Sequence, residues 1–126
     1  MKINTVESNN KISKSQMALT CHTLRALGLN FGLTGTRLIN KVVQILIVKD
    51  LEIVVLEDIY KEISSCFPNM KPTHMRQHIV YAIEHRDYLK AEENFENIFG
   101  FEHDECYFEP KIFMEEVANI IKLESI

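Results

Sequence analysis

The side chains best suited to chemistry lie together in "KPTHMRQHIVYAIEH", residues 71–85, which holds His74, His78 and His85 beside Arg76, Gln77 and Tyr81. Three readings fit those types. Arg and Gln can each make paired hydrogen bonds, the arrangement that recognises guanine and adenine edges in the major groove of DNA. His74 and His78 stand four apart and share a face if the segment is helical, as a pair of metal ligands would. The third reading is an ordinary helix whose polar face carries histidines.

A metal site asks for more than this pair. Structural zinc takes four ligands in recognisable paired spacings, and the chain has no CxxC; His103 and Cys106, separated by two residues in an acidic loop, add no second pair. No metal or other cofactor is expected. Catalysis finds no footing either, since there is no glycine motif to cradle phosphate and no nucleophile elbow. The carboxylates of "HRDYLKAEENFE" read as a solvated helix face.

Positioning residues 71–85 requires a helix, and the spacing supplies one. Met75, Ile79, Ala82 and Ile83 recur on one face, with Thr73 placed as a cap, which leaves Thr73, His74, Arg76, Gln77, Val80, Tyr81 and Glu84 toward solvent. Leu56, Ile59, Tyr60, Ile63 and Phe67 form a preceding amphipathic helix that Pro68 stops. A helix over about 56–67, a turn of roughly five residues at "PNMKP" and a helix over about 73–86 make the outline of a helix-turn-helix. In that motif the second helix presents its N-terminal residues to base edges, and its free N–H groups favour a phosphate. Candidate DNA-binding residues are therefore Lys71, Thr73, His74, Arg76, Gln77 and Tyr81, with Lys71 neutralising phosphate near the turn.

The remaining elements are helical too. Residues 1–15 are a polar lead expected to fray, and 16–126 form a single domain. Met17, Cys21, Leu24 and Leu27 mark a first helix over about 16–28, closed by Gly28. "GLNFGLTG" is a turn-rich connection in which Thr34 or Thr36 can cap the next helix. Leu38 to Val48 is apolar nearly all round, so the other helices should wrap it; its β-branched content also permits a strand, but its length without Gly or Pro favours a helix. Phe95, Ile98 and Phe99 predict a short helix ending at Gly100, and Phe113, Val117, Ala118, Ile121 and Leu123 predict a last one. The expected fold is all-α with about six helices.

Length and charge agree with a small helical domain. The 126 residues are 46% hydrophobic, enough for one core. No apolar run approaches the roughly 18–20 residues that cross a bilayer, and the start lacks a secretion signal, so a cytoplasmic protein without a membrane partner is expected. Cys21, Cys66 and Cys106 are an odd, widely spaced set, read as reduced and buried small hydrophobes. The net charge of −4 conceals an asymmetry: residues 1–82 hold ten Lys/Arg against six Asp/Glu, and residues 83–126 hold four against twelve. The first part could approach a polyanion; the second would meet a basic partner or simply solvate a helical surface.

Six stretches in order resemble the DNA-binding effector domain of the stage 0 sporulation protein A family. They are "LGLNFGLTG" (27–35), "DLE" (50–52), "YKEISSCF" (60–67), "IVYAIEH" (79–85), "IFGF" (98–101) and "FMEEVANIIKLE" (113–124), covering about Met17 to Glu124. The resemblance implies a six-helix fold, a recognition helix near 73–86, a cytoplasmic transcriptional role and side-by-side association on tandem sites. No heptad seam requires a dimer, so the oligomeric state is open. Family members carry a receiver domain ahead of this module, which 15 polar residues cannot contain, so phosphorylation control in cis is not expected. His74, Gln77 and Val80 stand where the family presents arginines, Tyr81 stands where it has a histidine, Arg76 stands where it has an acid, and Asn30 replaces a proline. Each lost cation removes contacts worth ~1–3 kcal/mol, which implies altered or weakened readout. Two functions follow: a DNA-binding transcriptional regulator, or a protein-interaction module that keeps the fold and has lost DNA affinity. The second would pair with a sporulation regulator or the transcription machinery.

Overall fold

A computed structural model describes residues 11–49 and 52–125. Most of the polar lead, and the first two residues of "DLE", lie outside them. Among the described residues six α-helices follow in order: α1 Lys14–Ala26, α2 Thr34–Val48, α3 Leu56–Ile63, α4 Pro72–Glu84, α5 Tyr88–Phe99 and α6 Pro110–Glu124. Short 3-10 turns occupy Ser64–Cys66 and Glu105–Phe108, and there is no strand among the described residues. The fold is all-α, as the apolar periodicity indicates.

Helix α2 is the element that the others pack around: α1, α3, α4 and α6 all lie against it. Its Leu38, Ile39, Val42, Val43, Leu46 and Ile47 are buried, which removes the strand alternative for this segment. Burying each such side chain stabilises the fold by ~1.5–3 kcal/mol relative to exposure, so this one helix anchors much of the core. Closest approach occurs at Gly35, where a Cβ would stand 1.8 Å from the carbonyl oxygen of His78 and 2.8 Å from the Ala82 Cβ. The absence of a side chain there is what lets α2 and α4 touch backbone to backbone.

Several helix ends differ from the sequence expectation. Helix α1 begins two residues early because Ser13 and Gln16 form a capping box: the Gln16 N–H donates to Ser13 Oγ at 3.0 Å and the Ser13 N–H donates to Gln16 Oε1 at 3.1 Å. Neither Thr34 nor Thr36 caps α2. Asn30 instead orders the turn, its Oδ1 accepting from the Gly32 N–H at 2.8 Å and its carbonyl from the Leu33 N–H at 3.0 Å, which makes extended Leu33 the cap residue. Thr73 likewise falls inside α4, whose cap is Lys71 and whose first residue is Pro72; proline's missing N–H costs nothing at that position. Leu123 projects into solvent at 71% exposure, whereas Phe113, Val117, Ala118 and Ile121 are buried as expected. Cys66 and Cys106 are exposed and Cys21 is half-buried, so the cysteines are free thiols but not core residues.

Gly28 and Gly100 close α1 and α5 with φ values of 89° and 85°, a backbone region that L side chains avoid. At Gly28 the constraint is double, because its carbonyl accepts from the Asp87 N–H at 2.9 Å and a Cβ would meet the Asp87 carbonyl oxygen at 2.4 Å. This contact ties the end of α1 to the start of α5.

Candidate nucleic-acid interface

The geometry of α4 follows from its inward face. Met75, Ile79 and Ala82 are completely buried and Ile83 nearly so, which fixes the rotation of the helix. Lys71, Thr73, His74, Arg76, Gln77, His78 and Tyr81 are consequently exposed, and Val80 is half-buried. Five of the six candidate DNA-binding residues thus share the solvent-facing side of α4, with Tyr81 at 49% exposure and stacked on His85 at a ring separation of 3.8 Å, and the sixth, Lys71, is exposed at its N-terminal cap.

The segment before α4 is shorter in helix and longer in connection than the spacing predicts. Helix α3 ends at Ile63 rather than near Phe67, and residues 64–71 link it to α4. Ser64 explains the early stop: its hydroxyl donates to the Lys61 carbonyl at 2.7 Å, and the Phe67 N–H donates to the Ser64 carbonyl at 3.2 Å, tightening the chain into a 3-10 turn. Asn69, at φ 66°, then reverses the chain toward Pro72.

Of the two cations on this face, Arg76 is paired and Lys71 makes no ion pair among the described residues. The Arg76 guanidinium donates to Glu57 Oε1 at 2.5 Å, an ion pair between α4 and the first turn of α3. Beneath the pair lies Tyr60, fully buried, whose hydroxyl has no hydrogen-bond partner among the described residues. Burial pushes the Tyr60 phenol above its ordinary pKa; the nearby Arg76 charge opposes this, and Glu57 and Glu109 add to it.

A second polar cluster escaped the sequence reading. Arg86, between α4 and α5, is only 4% exposed. Its guanidinium lies between the rings of Phe108 at 3.6 Å and Tyr88 at 4.0 Å, donates to the Ile83 carbonyl at 3.0 Å, and meets Glu105 Oε2 at 2.8 Å. A planar cation between two rings is a contact that only Arg makes well. The signal in the sequence was the lone basic residue amid "IEHRDYL", but its partners at 105 and 108 are remote in the chain. Alongside, Phe95, Phe99, Phe101, His103, Tyr107 and Phe108 form a continuous aromatic cluster that reaches the surface at Phe101.

No group of three or more His, Cys, Asp or Glu side chains that could hold a metal occurs among the described residues. His74 and His78 are both on the exposed side of α4, and His103 packs on Phe95 with its Nε2 3.7 Å from Glu105. No described helix is long and apolar enough to cross a membrane. Comparison with known proteins finds no matching family model, no matching curated protein and no matching solved structure.

Proposed function

We propose that this protein is a DNA-binding transcriptional regulator in which α3, the 64–71 connection and α4 act as a helix-turn-helix, with α4 as the recognition helix. One observation carries the reading: Thr73, His74, Arg76, Gln77 and Tyr81 project from a single face of a helix whose opposite face is locked into the core. A rigidly held helix with hydrogen-bonding side chains in its first three turns is what base-edge readout in the major groove requires. The resemblance to the sporulation effector domain points the same way and brings with it a cytoplasmic location. Gln77 and Arg76 supply bidentate contacts to adenine and guanine, and Lys71 and the α4 N-terminus meet phosphate. The test is selection from random duplexes at low salt. Enrichment of a defined site is expected, with Arg76→Ala and Gln77→Ala relaxing preference at separate positions; no enriched sequence and no effect of either variant would refute the reading.

A second reading, a protein-interaction module without DNA affinity, is favoured by a different surface. Residues 91–110 hold seven carboxylates and no Lys or Arg, and they surround the aromatic cluster that surfaces at Phe101, 40% exposed. Such a surface suits a basic partner, including the DNA-binding face of a related regulator or a component of the transcription machinery. Recovery of such a protein from a spore-forming host, abolished by Phe101→Asp and unaffected by Gln77→Ala, distinguishes this reading from the first.

A further inference from the structure

Arg76 is the only arginine on the exposed face of α4, and its guanidinium is already engaged by Glu57. The two side chains are 59% and 46% exposed, so the pair is open to water. Exposed pairs of this kind hold weakly and open readily. Glu57 is also stable without its partner, because it lies in the first turn of α3, where the helix dipole favours a carboxylate. An incoming phosphate or guanine edge therefore finds Arg76 occupied by a carboxylate that belongs to the fold and does not leave with it.

We infer that Glu57 is a built-in competitor for Arg76, an electrostatic latch that nucleic acid must displace before α4 can use its one arginine. The inference rests on the reading of α4 as a DNA-binding helix. Two consequences separate it from a merely structural ion pair. First, removing the carboxylate strengthens binding instead of weakening it, since a freed guanidinium forms charge-assisted bonds to the nucleic acid without first losing one to Glu57. Second, the gain depends on Arg76. Adding one effective cation also releases about one more counterion, so the slope of log affinity against log salt steepens by roughly 0.9.

The experiment measures fluorescence anisotropy of a labelled mixed-sequence duplex with the full chain, for wild type, Glu57→Gln, Arg76→Gln and the double variant, across a salt series. Circular dichroism checks that each variant is folded. Asp58→Asn, the neighbouring exposed carboxylate, controls for general charge. Glu57→Gln is expected to bind about two- to fivefold tighter at low salt with the steeper slope, a gain absent when Arg76 is already Gln and smaller for Asp58→Asn. Equal gains in both backgrounds, or unchanged or weaker binding by Glu57→Gln while wild type binds, overturn the latch and leave the DNA reading standing. No binding by wild type or by Glu57→Gln overturns both.

Discussion

Gly35→Ala offers the sharpest test of how the exposed face of α4 is held. At an ordinary helix position this change stabilises by up to ~1 kcal/mol. Here the new Cβ would stand 1.8 Å from the His78 carbonyl oxygen, and 2.5 Å from its carbon, where ordinary contact begins at 3.4 Å, so α2 and α4 must part by about 1.6 Å. The obstacle is backbone within a regular helix and cannot swing aside as a side-chain tip would. Overpacking of a core usually costs ~1–3 kcal/mol, and the gap opened between the buried rows of the two helices adds to it at ~24 cal/mol per Å³. The net expectation is a loss of ~2–4 kcal/mol, a fall in melting temperature on the order of 10 °C. Thermal and urea unfolding followed by circular dichroism measure it. Gly32→Ala is the control, because the nearest atom there is the Asn30 side-chain oxygen at 3.1 Å, and it should shift stability by less than ~1 kcal/mol. A Gly35→Ala protein as stable as wild type would refute the backbone contact between α2 and α4.

Arg86→Lys should lose ~1–2 kcal/mol and Arg86→Ala ~3 kcal/mol in urea unfolding, because an ammonium keeps the charge but not the planar contact with Phe108 and Tyr88. Tyr60→Phe should be neutral or stabilising by up to ~1 kcal/mol, since the hydroxyl it removes is buried without a partner among the described residues. The raised Tyr60 pKa also sets a sign: above the ordinary value of 10.0 the unfolded chain loses that proton before the folded one does, so stability falls as pH rises. Tyr60→Phe should flatten that alkaline decline in melting temperature. In native protein a thiol reagent should label Cys66 and Cys106 rapidly and Cys21 slowly, whereas equal slow labelling of all three would contradict their placement. If α4 carries DNA binding, the slope of log affinity against log salt for wild type should be shallow, about −1 to −2, because few free cations face the groove; a slope of −5 would assign binding to another basic surface.

Apolar periodicity carried the fold because most of the apolar positions it picks out enter one core, although on α1 Met17 is 38% exposed while Thr20 and Thr23 are buried. Met75, Ile79, Ala82 and Ile83 on α4, and Leu38, Ile39, Val42, Val43, Leu46 and Ile47 on α2, are buried as their spacing requires. Helix ends were less legible, since several residues can satisfy the same free N–H groups. Ser13 and Gln16 do so at α1 ahead of the expected start, and at α2 and α4 the threonines that look like caps give way to Leu33 and Lys71, neither of which makes a side-chain cap bond. Leu123 and the cysteines were misread for a related reason: a side chain's type fixes what it favours, not whether a neighbour covers it. Thr73, His74, Arg76, Gln77 and Tyr81 could be placed on one face from sequence, because a face depends only on local spacing.

What local spacing cannot convey is the charge that this face presents. Arg76 is paired with Glu57, nineteen positions upstream on another helix, and Arg86 with Glu105, nineteen positions downstream. The two pairs have the same sequence separation and opposite consequences. Arg86 is enclosed by rings and takes no part in the surface, so its charge is spent inside the fold. Arg76 is open to water, and its pairing can be exchanged. Beyond it, the exposed row offers Thr73, His74, Gln77 and Tyr81, groups that hydrogen-bond and stack. A helix so equipped gains little from the phosphate backbone that every sequence shares, and draws its discrimination from base edges, where an amide and a guanidinium each recognise a different purine. On the DNA reading, weak overall affinity and retained sequence preference are therefore compatible, and both trace to which cations the fold leaves free.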